Sequence, residues 1–172
     1  GQNIAIGLTS VNGNVGETVC VDIVGANFVG ITGMQFSVTF DTLNVRYVSG
    51  SASINGTNVS IGFRADRPNQ LRLSYSPFSS TGYTDPGPFV IGQLCFMVVQ
   101  DVETVLTIGD VPIPLEFTNE DQEIFELADV EVTNGSINSG NVGMPDCMDG
   151  IMNGNETGVD CGGPCQPCAS CT

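Results

Sequence analysis

From residue 4 to about residue 138 the chain is a succession of short runs of β-branched and aromatic residues, and this succession constrains the fold more than any other feature. The runs are IAIGLTSV, ETVCVDIV, GMQFSVTF, NVRYV, NVSIGF, QLRLSYS, FVIGQLCFMVV, TVLTIG and DVEVTNGSI, bounded by Gly, Asn, Asp and Pro turns. Such runs suit pleated, half-buried strands, and the residues between them suit turns. No window places apolar residues at helical i, i+3, i+4 spacing over a useful length. EDQEIFEL comes nearest and reads as a turn or short helix between strands. Strands at this spacing predict an all-β fold, a jelly-roll or immunoglobulin-like β-sandwich of about nine strands.

Alternation within the runs predicts which strands have a wet face. In QLRLSYS, Leu71, Leu73 and Tyr75 point one way while Gln70, Arg72 and Ser74 point the other, so one face is solvated. FVIGQLCFMVV differs. Leu94, Phe96 and Val98 form one apolar row, and Cys95, Met97 and Val99 form a second. Both faces of this strand ask for burial, under a loop or under another chain or the tail.

From about Ser139 the pattern gives way to NVGMPDCMDGIMNGNETGVDCGGPCQPCASCT, which has too few large apolar side chains to build a core of its own. The expected organisation is a sandwich over residues 1–138 and a Cys- and Gly-rich, loop-rich tail over 139–172, held by disulfides, an ion or a neighbour.

Composition excludes several classes of chemistry. The net charge is −15, the only cations are Arg46, Arg64, Arg67 and Arg72, and there is no Lys, His or Trp. Without His there is no Ser-His-Asp or Cys-His relay, and the commonest ligand of catalytic zinc is missing. Without Lys there is no Schiff base and no P-loop. A polyanion meets repulsion nearly everywhere, so nucleic acid is not an expected partner, whereas divalent cations remain open. No run of about 20 apolar residues occurs, so no helix is expected to span a bilayer. The start, GQNIAIGL, reads as a mature secreted end or a piece of a longer chain. Seven cysteines with little charge and much Gly, Asn, Ser and Thr favour an oxidising, extracellular compartment over a cytosol with free or metal-bound thiols.

The stretch GETVCVDIVGANFVGITGMQFSVTFDTLNVRYVSG, with QLRLSYS and FVIGQLCFMVV downstream, resembles the cohesin-like modules of large surface proteins from Bacteroidetes-type bacteria. The shared elements are the Gly-Glu-x-Val-Cys opening, the Asn27-Phe28 turn, the Met34 to Ser37 strand, the turn begun by Asp41, and the Leu-Cys-Phe strand at 94–96. The resemblance covers most of residues 4–137. It implies a non-catalytic jelly-roll sandwich that binds dockerin partners through one sheet face. The tail, CMDGIMNGNETGVDCGGPCQPC, resembles a short module that recurs in extracellular multidomain and adhesive proteins, which implies location and modularity rather than activity. Sandwich folds carry many functions, so dockerin binding is one expectation among several.

Cys20 and Cys95 are both carried by the resembling modules. They are read as one cross-strand disulfide that contributes about 4 kcal/mol through the entropy of the loop it closes. Two buried free thiols are the alternative. In the tail, Cys147, Cys161, Cys165, Cys168 and Cys171 offer thiolates at spacings that zinc or iron–sulfur sites use. Pro164 and Pro167 between the ligands, and the oxidising compartment, favour disulfides instead. Cys165 and Cys168 resemble a redox CxxC, but no strand precedes and no helix follows them. Five is odd, so one tail cysteine is expected to stay free or pair with another chain.

Asp149, Asn153, Asn155, Glu156 and Asp160 are oxygen donors on a Gly-rich loop, a candidate Ca2+ site. In EF-hand register the first and third positions would be Pro145 and Cys147, which cannot ligate through side chains, so the site would be irregular, and plain Asx turns are the alternative. Glu120, Asp121, Glu123 and Glu126 invite a glycosidase reading, but they crowd one polar stretch and no Trp platform exists to hold a sugar. Sequons stand at Asn55, Asn58, Asn134 and Asn155, without meaning in most bacteria, while Asp41-Thr42-Leu43 makes Thr42 a candidate O-glycosylation site.

The expected function is that of a non-catalytic, secreted structural or adhesive protein that works by protein–protein association at a cell surface, as a subunit or repeat of a self-assembling filament. Strand addition by NIAIGLTSV or by the tail is a possible mechanism. The alternatives are a cohesin that docks a dockerin-type partner and an ancillary carbohydrate- or calcium-binding module of a surface enzyme.

Overall fold

The computed structural model describes residues 3–139 and, beyond them, Gly158, Val159, Cys161 and Cys168. Two sheets pack face to face. The six-stranded sheet contains β1 (Ala5–Leu8), β2 (Thr18–Ala26), β4 (Val45–Ile54), β5 (Thr57–Asn58), β9 (Phe89–Val98) and β13 (Glu131–Thr133), in the order β13-β1-β2-β9-β4-β5. The eight-stranded sheet is built on β3 (Phe28–Thr39), with β6 (Ser60–Phe63), β7 (Gln70–Tyr75), β8 (Tyr83–Asp85), β10 (Thr104–Gly109), β11 (Glu116–Asn119), β12 (Ile124–Glu126) and β14 (Gly135–Ile137). Each of the nine expected runs contains strand. Of the additional strands, β8 and β11 are short and rich in polar residues and β12 is only three residues long, so composition does not mark them.

β3 has twelve residues, long enough to take two partners on each edge. On one edge β7 pairs with Met34–Thr39 and β8 with Phe28 and Ile31; on the other β11 pairs with the span from Ile31 to Gln35 and β10 with Ser37–Thr39. Gly82 makes the β7–β8 crossing possible. A Cβ there would lie 2.0 Å from the carbonyl carbon of Gly30, so only glycine permits this backbone approach. The turn between β4 and β5 is Asn55-Gly56, both at positive φ, which suits a two-residue hairpin.

The core lies between the sheets. Phe28, Phe36, Phe96 and Phe117 are fully buried, and Phe28 meets Phe89 and Phe117 edge-on at 5.0 and 5.4 Å. In β7 the alternation holds: Leu71, Leu73 and Tyr75 are buried, while Gln70 and Arg72 are half-buried and Ser74 is exposed on the outer side. β9 is a central strand whose Leu94, Phe96 and Val98 are buried inward, while Cys95, Met97 and Val99 of the second row are half-buried on the outer side. The N-terminal run, considered above for donation to a neighbour, occupies its own sandwich: β1 pairs with β2 antiparallel and with β13 parallel. EDQEIFEL resolves into a turn, β12 and a single 3-10 turn over Leu127–Asp129. Among the described residues no helix is long and apolar enough to cross a membrane.

Candidate docking surfaces

Cys20 and Cys95 face each other in register on β2 and β9 and form a disulfide, with Cα atoms 4.0 Å apart. Both lie on the outer face of the six-stranded sheet, Cys20 exposed and Cys95 half-buried. The bond therefore closes a loop of 75 residues at the surface. In the tail, Cys161 and Cys168 form a second disulfide, and Gly158 and Cys161 exchange backbone hydrogen bonds of 3.1 and 3.3 Å. Cys147, Cys165 and Cys171 lie outside the described residues, as do Asp149, Asn153, Asn155, Glu156 and Asp160. Among the described residues no three His, Cys, Asp or Glu side chains group as metal ligands would.

Thr42 is half-buried in the turn that Asp41 organises, where the Asp41 carboxylate accepts from the Leu43 N–H at 2.9 Å. Asn55 and Asn58 are exposed on the β4–β5 hairpin, and the Asn134 side-chain oxygen accepts from the Ile108 N–H at 3.0 Å.

The paired acids stand on one lateral side of the sandwich. The turn from Asn119 to Glu123 joins β11 to β12, the edge strand, and the 3-10 turn and β13 continue along the same side. The Asn119 side-chain oxygen accepts from the N–H groups of Asp121 and Glu123 at 3.1 and 2.9 Å, and its amide donates to the Glu123 carboxylate at 2.8 Å. Glu120, Asp121, Glu123 and Glu126 are all exposed. They form a solvated, ordered turn, not two carboxylates facing across a cleft.

The opposite lateral side is formed by β4, β5 and β6. Here a groove of about 420 Å³ is lined by Thr42, Leu43, Arg46, Tyr47, Phe63 and Pro68. The Tyr47 and Phe63 rings meet at 5.2 Å, and burial raises the Tyr47 phenol above its ordinary pKa. Arg64 follows Phe63 and is held by Asp66 at 2.9 Å, Arg67 precedes Pro68, and Arg72 lies on β7 opposite Gly62. All four cations of the chain thus belong to this side or to the hairpin beside it, a grouping the sequence hides because Arg46 is far from the others in the chain.

The outer face of the eight-stranded sheet is polar where β3 meets β7. Gln35, Ser37 and Thr39 of β3 pair in register with Ser74, Arg72 and Gln70 of β7. Ser37 is fully buried because the loop after β10 crosses it: its hydroxyl donates to the Ile113 carbonyl at 2.7 Å and accepts from the Ile113 N–H at 2.9 Å.

No family model matches the sequence, and no curated protein matches it. Solved structures do match the fold. The sixth cohesin of scaffoldin B from Acetivibrio cellulolyticus, crystallised with a dockerin mutant, is 24% identical, with 80% of this chain covering 99% of that one at a TM-score of 0.64. A non-cellulosomal cohesin from the archaeon Archaeoglobus fulgidus is 14% identical, with 79% and 90% covered at a TM-score of 0.62. A type I cohesin–dockerin complex from Clostridium thermocellum matches at 12% identity, with 78% and 92% covered and a TM-score of 0.65. The two-sheet sandwich described above is therefore the cohesin fold, and about four-fifths of the chain adopts it.

Proposed function

We propose that the chain is a non-catalytic extracellular protein that works by protein–protein association, as a self-assembling structural or adhesive subunit at a cell surface. The observation that carries this reading is the fold: 80% of this chain covers 99% of a cohesin that was crystallised with a protein partner. Seven cysteines support self-association, because an odd number cannot all pair within one chain. Two disulfides, each with one exposed cysteine, suit an oxidising compartment. In this reading residues 1–138 are the associating sandwich and 139–172 a stapled tail, with Ca2+ at the Asp149–Asp160 loop and a glycan at Thr42 as optional additions.

Electron microscopy and sedimentation of the purified full chain test the reading, with reducing and non-reducing gels beside them. Filaments or concentration-dependent oligomers are expected, and a monodisperse monomer at every concentration sinks it. A second reading, a cohesin that docks a dockerin-type partner on the polar outer face of the eight-stranded sheet, is favoured by the solved neighbours that carry dockerins. Dockerin pull-down separates the two, since only the second predicts stoichiometric capture by a monomer.

A further inference from the structure

One lateral side of the sandwich gathers the arginines, with Asp41 and Asp66 among them, and the other carries carboxylates alone. One side has every arginine of a chain whose net charge is −15 on it or on the hairpin beside it, around a groove of about 420 Å³ floored by Leu43, Tyr47 and Phe63. Leu43 is 70% exposed and Phe63 42% exposed, so the groove presents apolar surface to water. The other side carries Glu120, Asp121, Glu123 and Glu126 with no cation between them, and Ile124 stands out from it with 60% of its surface exposed.

These sides cannot satisfy one another within one molecule. In the eight-stranded sheet β11, β3 and β7 lie between the edge strands β12 and β6, which places them about 19 Å apart at ordinary strand spacing. That exceeds the screening length of about 8 Å in physiological salt. Among the described residues both edge strands also pair with a strand on one side alone, β12 with β11 and β6 with β7, which leaves a template for pairing with another chain.

We propose that the groove lined by Arg46, with Arg67 beside it at Pro68, receives in one copy the acidic Glu120–Leu127 segment of a second copy, with Ile124 seated against Leu43, Tyr47 and Phe63. The contact joins two different surfaces, so it is heterologous and propagates head to tail. Three physical terms act together. The arginines meet carboxylates, the apolar floor loses water to Ile124, and the acidic turn enters already ordered, because the Asn119 side chain holds it through three hydrogen bonds. The local attraction gives direction to association between molecules whose overall charge repels. The inference rests on the self-association reading and adds its surface and polarity.

A charge exchange tests it on the full chain. One variant carries Arg46→Glu with Arg67→Glu, and a second carries Asp121→Arg with Glu123→Arg; all four positions are exposed, and thermal unfolding checks that each variant folds. Each variant alone is expected to lose association at least ten-fold in sedimentation, and an equimolar mixture is expected to recover it, since the two then alternate along the assembly. Ile124→Ser, which leaves every charge in place, is expected to weaken association of the otherwise unchanged chain by a similar factor. Assembly of either charge variant at the level of the parent, or a mixture that stays dissociated, overturns the proposal. If the parent chain is itself monomeric, the self-association reading falls with it; if the parent assembles and the variants do too, only the contact assigned here falls.

Discussion

In the six-stranded sheet the central strands β2 and β9 run side by side from Thr18 to Gly25 and are joined by Cys20–Cys95; in the eight-stranded sheet the central strand β3 shares its two edges among four partners and holds no cysteine. Beside its strand pairing and buried inner row, the first sheet carries a restriction on the unfolded chain, which the disulfide closes into a loop. The second depends on what packs against β3 once folded: Phe36 and Val38 on the inner face, and the Ile113 loop pinned to Ser37 on the outer. The difference teaches that a covalent staple is placed where it shortens a long connection, while the strand with many partners is held by non-local contacts.

The largest expected effect falls on the six-stranded sheet. Replacing Cys20 and Cys95 together by Ser should cost about 4 kcal/mol, since the closed loop spans 75 residues. For a chain of this size that lowers the melting temperature by about 8–16 °C. Cys20 is exposed, so a reductant should reach the bond in the folded protein and give the same shift. A loss below about 1 kcal/mol would show that strand pairing holds this sheet without the staple, and would erase the contrast.

A smaller effect is expected in the other sheet. Ser37→Ala removes the hydroxyl that both donates to and accepts from Ile113, and leaves two backbone groups of the crossing loop without it. The expected cost is about 1–3 kcal/mol, read from chemical denaturation. Hydrogen exchange at residues 110–115 should accelerate in this variant and stay unchanged in the cysteine variant; acceleration in both would mean that the sheets do not differ in what holds them.

The smallest effect touches both sheets. Burial raises the phenols of Tyr47 on β4 and Tyr75 on β7, and burial together with the hydrogen bond to Asp85 raises that of Tyr83 on β8. Each folded phenol holds its proton more firmly than the unfolded one, whose ordinary pKa is 10.0. The stability linked to them is therefore complete below pH 10.0 and is lost as the pH rises through the raised folded values. Denaturation midpoints should be flat up to about pH 9 and fall above about pH 10. Tyr47→Phe should flatten part of that fall, and an unchanged alkaline limb would remove Tyr47 from its causes.

Periodicity made the sandwich legible where strands are long and one-sided: Leu71, Leu73 and Tyr75 face the core as their spacing requires. It failed where a strand is short and polar. YTD of β8 and EFTN of β11 are strands because β3 offers them an edge, a non-local reason that no local pattern carries. For β9 it asked for burial of both rows; the inner row is buried, and Cys95 and Met97 of the outer row are half-buried around the Cys20–Cys95 disulfide. The acidic turn was legible as a solvated one. Its counterpart was not, because the groove gathers Leu43, Arg46, Tyr47, Phe63 and Pro68 from two sheets and the turns beside them.

By itself the sequence determined the class of fold, the absence of His- and Lys-based chemistry, the large negative charge and the odd number of cysteines, since these follow from composition and from period-two burial along each strand. Only the tertiary structure decided that β1 lies in its own sheet, that Cys20 meets Cys95, and that the arginines and the acidic turn stand on opposite sides. The physical reason is that strand order is set by pairings between distant parts of the chain, and side-chain chemistry acquires direction only once that order places it on an edge or a face.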